Sequence, residues 1–456
     1  YITQMKQQSQ LAKLGLFDAK VPRYTSYPTA PQFRNDVDPA RFSDWISKIK
    51  PNSSISLYIH VPFCRRLCWF CACRTQGTQS DSPVRAYLEV LKAEIAMLGR
   101  ILPEGVNLSR LHWGGGTPTL LAPEMMTELA GAVAEITPFA PDAEFSVEID
   151  PNEIDERRLD ALAAAGMNRA SVGVQDFDPE IQQTIGRIQS YDLTRNAIEM
   201  IRARGIHSLN ADILYGLPHQ NQERMTESVQ KLLSLSPDRV ALYGYAHVPW
   251  VAKRQQMIPT DALPTPQERL ALYETARKLF LWDQYAEIGI DHFATQTDGL
   301  TTAQKAGQLK RNFQGYTDDQ SEVLIGLGAS SISRFPQGFA QNAPGTSAHT
   351  KAIREGSFSV TRGHTFQGED KLRARLIEAL MCDFRIDSNE IIADFDITPT
   401  ALHQMFTKVA KDFPGALQVL PDGLYIPEHA RPLTRMIARG FDAYDETSQA
   451  KHSSAI

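Results

Sequence analysis

The chain has 456 residues, 42% hydrophobic and 22% charged, with a formal net charge of -6 and a pI near 6.0. That length suits one large α/β domain with an appendage, and no apolar run approaches the roughly 18 residues that suggest a membrane span. An acidic chain carries no overall field for capturing nucleic acid, so neither nucleic acid nor membrane is an expected partner.

Residues 1–50 form an arm whose Pro22-Arg23-Tyr24-Thr25-Ser26-Tyr27-Pro28 run is too polar and proline-bounded for a helix,. From Ser56 to Asp291, β-branched or aromatic runs alternate with amphipathic segments about every 30 residues, the signal of βαβ units,. The strands are expected at Ser56 to Val61, Arg110 to Trp113, Glu144 to Ile149, Arg169 to Val174, Ser208 to Leu214 and Arg239 to Tyr245. They predict a partial (β/α)6 TIM-like barrel, with residues 51–368 as barrel and extension. The first crossover helix opens at Pro83 and turns Val84, Tyr87, Leu88, Leu91, Ile95 and Leu98 to one face,. Residues 369–456 are expected as a small, mainly helical, winged-helix-like domain, with helices at Leu372 to Cys382 and Thr400 to Val409. A Pro421-Asp422-Gly423 turn there joins two short strands,.

Four of the five cysteines fall within ten residues, as Cys64-x-x-x-Cys68-x-x-Cys71-x-Cys73. Disulfide scaffolds are short and cysteine-dense, whereas only Cys382 lies elsewhere here, in an apolar stretch that predicts a core position,. Structural zinc usually draws its ligands from two separated pairs. Ferredoxins supply four cysteines per cluster in a smaller chain. Three thiolates converging from one loop instead suit three irons of a cubane cluster, leaving the fourth iron open as a reaction site. Exposed cluster thiolates need a reducing compartment and no secretory signal is visible, so a cytoplasmic location is expected.

In parallel barrels the chemistry gathers where strands end. The cysteine loop follows strand one, and Gly114-Gly115-Gly116-Thr117-Pro118 follows strand two. Glu148 and Asp150 close strand three, Gln175 and Asp176 strand four, Asp212 lies near the end of strand five, and Ala246-His247 follow strand six. The glycines let backbone approach a ligand closely, although alone they equally describe a tight βα turn.

The CxxxCxxC loop, the glycine stretch and the barrel periodicity resemble the radical S-adenosylmethionine (SAM) superfamily. The arm motif, Tyr58-Ile59-His60-Val61-Pro62-Phe63-Cys64, Cys73, Gly173-Val174-Gln175-Asp176-Phe177 and Asn312-Phe313-Gln314-Gly315-Tyr316 are together similar to the oxygen-independent coproporphyrinogen III oxidases. The resemblance runs from Val21 to the C-terminal region. It implies that Cys64, Cys68 and Cys71 hold a 4Fe-4S cluster whose open iron chelates SAM, with Cys73 a family marker and not a ligand. Reductive cleavage of SAM would then yield a 5'-deoxyadenosyl radical that takes a hydrogen from the β-carbon of a substrate propionate. Loss of carbon dioxide and an electron leaves a vinyl group, and two such events turn coproporphyrinogen III into protoporphyrinogen IX in haem biosynthesis. A low-potential electron donor and a terminal acceptor are implied partners, and the enzyme is expected as a monomer.

The resemblance further implies that Tyr58, Gly115, Glu148 and Ile332 contact the cluster-bound SAM. Phe70, Gly116, Thr117, Gln175, Arg187, Asp212 and Ala246 would contact a second SAM molecule. No catalytic side chain is singled out. Glu148 and Asp212 suit hydroxyl or ammonium donors and Arg187 a carboxylate, although each carboxylate is also explained by a salt bridge or cap. Phe63, Trp69 and Phe70 either exclude water from the cluster or simply pack. Arg23 and Arg311 are candidate cations for the four substrate carboxylates, or else surface charges. His60 and His292 are further candidates near the mouth, with a structural role as the default. Ala72 stands where the family commonly has glycine, yet Cys71 and Cys73 are kept, so cluster binding is still expected. The competing functions are a haem chaperone, disfavoured by the long arm and Cys73, and a haem-modifying methyltransferase. An electron carrier or regulatory module is the alternative from another class.

Overall fold

Successive side chains on a β-strand point to opposite faces, and here the two faces differ in chemistry. The computed structural model describes residues 10–444 and 452–456. Six parallel strands, each bonded to the next, follow in chain order: β1 (Ser54–Val61), β2 (Asn107–Gly115), β3 (Phe139–Ile149), β4 (Arg169–Gln175), β5 (Ser208–Tyr215) and β6 (Arg239–Gly244). One face of them carries Leu57, Ile59, Leu111, Trp113, Phe145, Val147, Val172 and Leu209, all buried in the main core. The opposite face carries Tyr58, His112, Glu148, Ser171, Asn210 and Asp212, each only partly buried.

The crossovers supply α1 (Ser82–Gly99), α2 (Pro123–Ile136), α3 (Glu156–Ala164), α4 (Pro179–Ile185), α5 (Tyr191–Arg202) and α6 (Gln222–Ser234), and α7 (Pro266–Trp282) follows β6. All six residues of the expected α1 stripe are buried. This is the expected (β/α)6 arrangement, and the sheet runs on past both of its edges. After β6 it adds β7 (Ala286–Ile288) and β8 (His292–Ala294), with β8 antiparallel to β6. Beside β1 it adds β9 (Leu324–Leu327) in parallel, then the antiparallel β10 (Ile332–Phe335), β11 (Gly338–Asn342) and β12 (Val360–Thr365). The result is a twelve-stranded open arc.

Beyond the sheet come α8 (Asp370–Asp383), α9 (Ser388–Asp394) and α10 (Pro399–Ala410), with a three-stranded antiparallel sheet of Arg385–Asp387, Gly423–Tyr425 and Gln418–Leu420. Cys382 is buried with Ile288, Leu300, Leu309 and Tyr316, as its apolar setting predicts. In the arm, Val21, Tyr24 and Tyr27 are buried while Arg23 stays exposed. Among the described residues no helix is long and apolar enough to cross a membrane.

A buried carboxylate, unforeseen from the α1 stripe, ties α1 to the β9–β11 edge. Glu94 accepts from Gly328 N at 2.8 Å and Asn342 Nδ2 at 3.0 Å, and faces His349 Nε2 at 3.2 Å, with 1% or less of either ionisable side chain exposed. Removing one member of such a buried hydrogen-bonded set strands the rest. Glu94→Ala is therefore expected to lower unfolding free energy by about 1–3 kcal/mol, read by urea denaturation.

Candidate cluster and cofactor site at the barrel mouth

Register brings the polar positions of the six strands to one level. Tyr58 pairs with His112, Glu148 with Ser171, Gly173 with Asp212 and Leu214 with Tyr243. The Tyr58 ring stacks on His112 with centroids 5.8 Å apart. Glu148 Oε2 accepts from Gly115 N at 3.0 Å and Oε1 lies 3.3 Å from His112 Nε2. Burial would raise the Glu148 carboxyl, but His112, the Gly115 N–H and His60 together hold it below its ordinary value,. Its side chain is still 41% exposed, and as an inward position on β3 it offers that surface to the lumen.

His60 fixes the end of the cysteine loop. Its Nε2 lies 3.0 Å from the Arg74 carbonyl, which only accepts, so Nε2 carries the proton and Nδ1 accepts from Tyr58 O–H at 3.0 Å,. Burial lowers the His60 pKa, in keeping with that neutral ring. The glycine stretch is zipped onto the chain entering the loop by Gly116 N to Val61 O and Thr117 N to Phe63 O, both 2.8 Å. Gly115 has φ +116°, and a Cβ there would meet the His60 ring at 2.6 Å. A Cβ on Gly116 would meet Phe63 O at 2.6 Å, so that approach requires glycine,. Ile332 stands beside Gly326, the residue of β9 in register with Tyr58.

The cysteine loop starts in a short strand, Phe63–Cys64, that pairs with Gln76–Gly77. Cys64, Cys68 and Cys71 are each partly buried and lie close enough for their charges to interact, and the Thr117 hydroxyl is hydrogen-bonded to the Cys64 sulfur. Burial pushes the Cys64 thiol to about 11 and raises Cys68, the latter partly offset by Arg187. Cys71 moves the other way, because the Cys73 thiol and N–H donate to its sulfur. No three Cys, His, Asp or Glu side chains among the described residues surround a point closely enough for a single metal ion. A cubane asks for something else: each thiolate meets its own iron at a separate corner. Three thiols on one partly buried loop, two of them costly to ionise without a cationic partner, fit that donor set.

The remaining expected residues divide between the cysteine loop and the packing around it. Arg187 places Nη1 3.6 Å from Cys68 Sγ and from Asp150, donates through Nη2 to Gly173 O at 3.0 Å, and keeps a buried, unpartnered Nε. Gln175 closes β4 with φ +67°, where the β4–β5 register shifts. Phe70 and Trp69 pack on Ile181, Ile185, Leu214, Leu217 and Tyr245, whereas Phe63 is wholly buried edge-on to Tyr87. Gln255, which sequence gave no reason to select, donates through Nε2 to Phe70 O at 2.6 Å and Ala246 O at 3.1 Å. Asp176 turns away from the mouth as a buried anchor for Ser228 and Gln220. His292 lies 3.5 Å from Tyr243 O–H and 2.7 Å from Asp291, a structural setting.

A partial barrel whose first strand delivers a three-cysteine loop is radical SAM architecture, and the radical SAM superfamily matches residues 58–232. Its members bind a 4Fe-4S cluster and SAM, and so does this chain. It is 66% identical to an oxygen-independent coproporphyrinogen III oxidase of Paracoccus denitrificans, over 99% of this chain and 100% of the relative. A relative of the same name from Cereibacter sphaeroides is 60% identical, over 97% and 98% of the two chains. The solved coproporphyrinogen III oxidase of Escherichia coli, described as a radical SAM enzyme, superposes with a TM-score of 0.88 at 35% identity, covering 93% of this chain and 100% of that one. The chain belongs to the oxygen-independent coproporphyrinogen III oxidases.

Two outcomes follow from this geometry. A methyl at Gly116 must displace Phe63 backbone, so Gly116→Ala is expected to cost about 1–3 kcal/mol and to lower the iron and sulfide retained after reconstitution, read by metal analysis. Burial, reinforced by Glu148 against the Asn210 hydrogen bond, pushes the Asp212 carboxyl from 3.8 to about 6. A raised carboxyl favours folding fully below the unfolded value and loses that contribution as pH rises through the folded one. The stability gained by Asp212→Asn should therefore be nil below pH 3.8, grow up to about 6 and then level off, as followed by denaturation of cluster-free protein.

Proposed function

We propose that this protein converts two propionate side chains of coproporphyrinogen III to vinyl groups without oxygen, giving protoporphyrinogen IX. The observation that carries this reading is the meeting of the three-cysteine loop with a polar barrel lumen, in a chain 66% identical along its length to an oxidase of that name. When bound, the cluster and SAM supply a carbon radical able to take a hydrogen atom from an unactivated C–H bond. The propionate β-carbon gives up that hydrogen, and the bond between the neighbouring α-carbon and the carboxylate carbon breaks. Carbon dioxide and one electron leave, and the two remaining carbons form the vinyl group. A low-potential donor and an acceptor for the released electron are separate partners in this reading.

Tyr58, Gly115, Glu148 and Ile332 are assigned to the cluster-bound SAM. Support comes from Glu148, whose carboxylate is kept ionised beside the Gly115 N–H and can accept from an ammonium or ribose hydroxyl,. Phe70, Gly116, Thr117, Gln175, Arg187, Asp212 and Ala246 are assigned to a second SAM. Arg187, with Nε unpartnered and the guanidinium beside Cys68, suits a carboxylate near the cluster,. Trp69 and Phe70 serve as an apolar wall limiting water at the thiolates,. Residues 1–50 are assigned to the arm, 51–368 to the barrel and its extension, and 369–456 to a C-terminal helical domain. The protein works as a monomer in the cytoplasm, a location supported by its five unbridged cysteines,.

Anaerobic incubation of reconstituted protein with SAM, a reductant and coproporphyrinogen III is expected to yield 5'-deoxyadenosine and vinyl products by mass spectrometry. Cys68→Ser should make neither. Intact porphyrinogen together with stoichiometric haem binding would replace this reading with that of a chaperone.

A further inference from the structure

We propose that Arg23, Arg269, Arg311 and Arg435 form the seat for the propionate carboxylates of the tetrapyrrole, an assignment that rests on the function proposed above. The four line one cavity of about 890 Å³ between the arm, the end of β6, α7 and the segment Ser453–Ile456. That volume lies within the range that takes a large organic ligand.

The charges in this cavity are unevenly compensated. At one end Arg277 and Arg431 pair with Glu287 at 2.9 Å each, and Arg277 also meets Glu428 at 2.7 Å and Glu274 at 3.8 Å. At the other end the four arginines face a single side-chain carboxylate, Asp291, which lies 3.7 Å from Arg311 and is also bonded to His292. The others bond to backbone oxygens. Arg269 donates to Tyr245 O at 2.9 Å and Gly216 O at 3.3 Å, Arg435 to Pro22 O at 3.0 Å and Val21 O at 2.6 Å, and Arg23 to Gly244 O at 2.8 Å. Peptide carbonyls orient a guanidinium without neutralising it.

A second observation points to a ligand. The Arg311 side chain is 6% exposed, yet its Nε and Nη1 have no hydrogen-bond partner in the described structure. Burial, together with Arg23 and Arg311, lowers Arg435 to about 9, and burial and Arg23 also lower Arg269. Arg269 and Arg435 have no side-chain carboxylate partner, cations so placed are expensive to keep, and a tetracarboxylate supplies negative charge through charge-assisted, bidentate bonds. The seat also adjoins the chemistry. Ala246 lines the cavity, and Gln255 Nε2 bridges its carbonyl to that of Phe70 in the cysteine loop.

The test measures binding of air-stable coproporphyrin III and its tetramethyl ester to the reconstituted holoenzyme by fluorescence, for wild type, Arg311→Gln and Arg23→Gln. The acid should bind and the ester should not, and each substitution should weaken the acid by about tenfold, the equivalent of one charge-assisted bond. Cluster absorbance should stay unchanged. Arg23 is exposed and makes one backbone bond, so its variant decides the matter if Arg311→Gln misfolds. Equal binding of acid and ester, or unchanged affinity in the folded variants, overturns the seat. Wild type that binds the acid as described but makes no vinyl product retains the seat and refutes the proposed reaction. Turnover with unchanged KM in both variants refutes the seat alone.

Discussion

Alternation of apolar and polar side chains along β1–β6 is the constraint on which the rest of the molecule depends. A barrel interior is ordinarily packed with branched side chains. Here the apolar set, from Leu57 and Trp113 to Val147 and Leu209, is turned toward the helices, and the inward set is aromatic, imidazole and carboxylate. The lumen therefore contributes little hydrophobic stabilisation, and the outer layer must supply it. The Glu94 knot fits that division of labour. It pins the β9–β11 edge to α1 from outside, and so steadies the strand whose Gly326 is in register with Tyr58.

Placing carboxylates in such a lumen costs free energy, and each one meets that cost differently. Glu148 is kept ionised by His112 and a backbone N–H, Asp291 is held at about 2 because Arg311 and His292 outweigh burial, and Asp212 has one Asn210 hydrogen bond and rises to about 6. Glu148 is thus a fixed acceptor at neutral pH, while Asp212 stands poised between acceptor and donor. The thiols follow the same logic. Burial raises the Cys64 and Cys68 thiols, a cost that a bound metal would offset,.

Much of this was legible in the sequence, and what was missed has distinct physical causes. All six strands were placed within a few residues because β-branched runs and helical stripes are local signals, and the strand-end rule then gathered Cys64, Gly115, Glu148 and Asp212. The added edge strands were missed because three- to six-residue strands such as Ala286–Ile288 carry too few residues to show a period. Asp176 looked like a mouth residue by its position in the chain. The positive φ of Gln175 just before it turns the backbone, so Asp176 points into the core against Ser228. Gln255, Arg269 and Arg435 were invisible for another reason. Nothing near them in the chain marks them, and their contacts include segments far away in the chain, as when Gln255 reaches Phe70 and Arg435 reaches Val21 and Pro22.

That difference in legibility reflects two ways of building a site. The cluster and cofactor end is assembled from loops that each follow their own strand, so its parts lie where a repeating βα pattern puts them. The arginine end brings together Arg23 of the arm, Arg269 of α7, Arg311 of the strand Lys310–Asn312 and Arg435 of the helix Thr434–Arg439, where the arm is tied to the last described segment by Val21 N donating to Ser453 O and Ala455 N to Ala19 O. Radical generation belongs to the barrel and is common to its superfamily, whereas recognition of a large polyanion requires charges spaced more widely than one loop can hold. The arm and the C-terminal segments supply that spacing. The Arg269 and Arg435 guanidinium groups are held by backbone carbonyls, so the positive end keeps its shape before a carboxylate arrives, and Gln255 joins that surface to the loop carrying the cysteines.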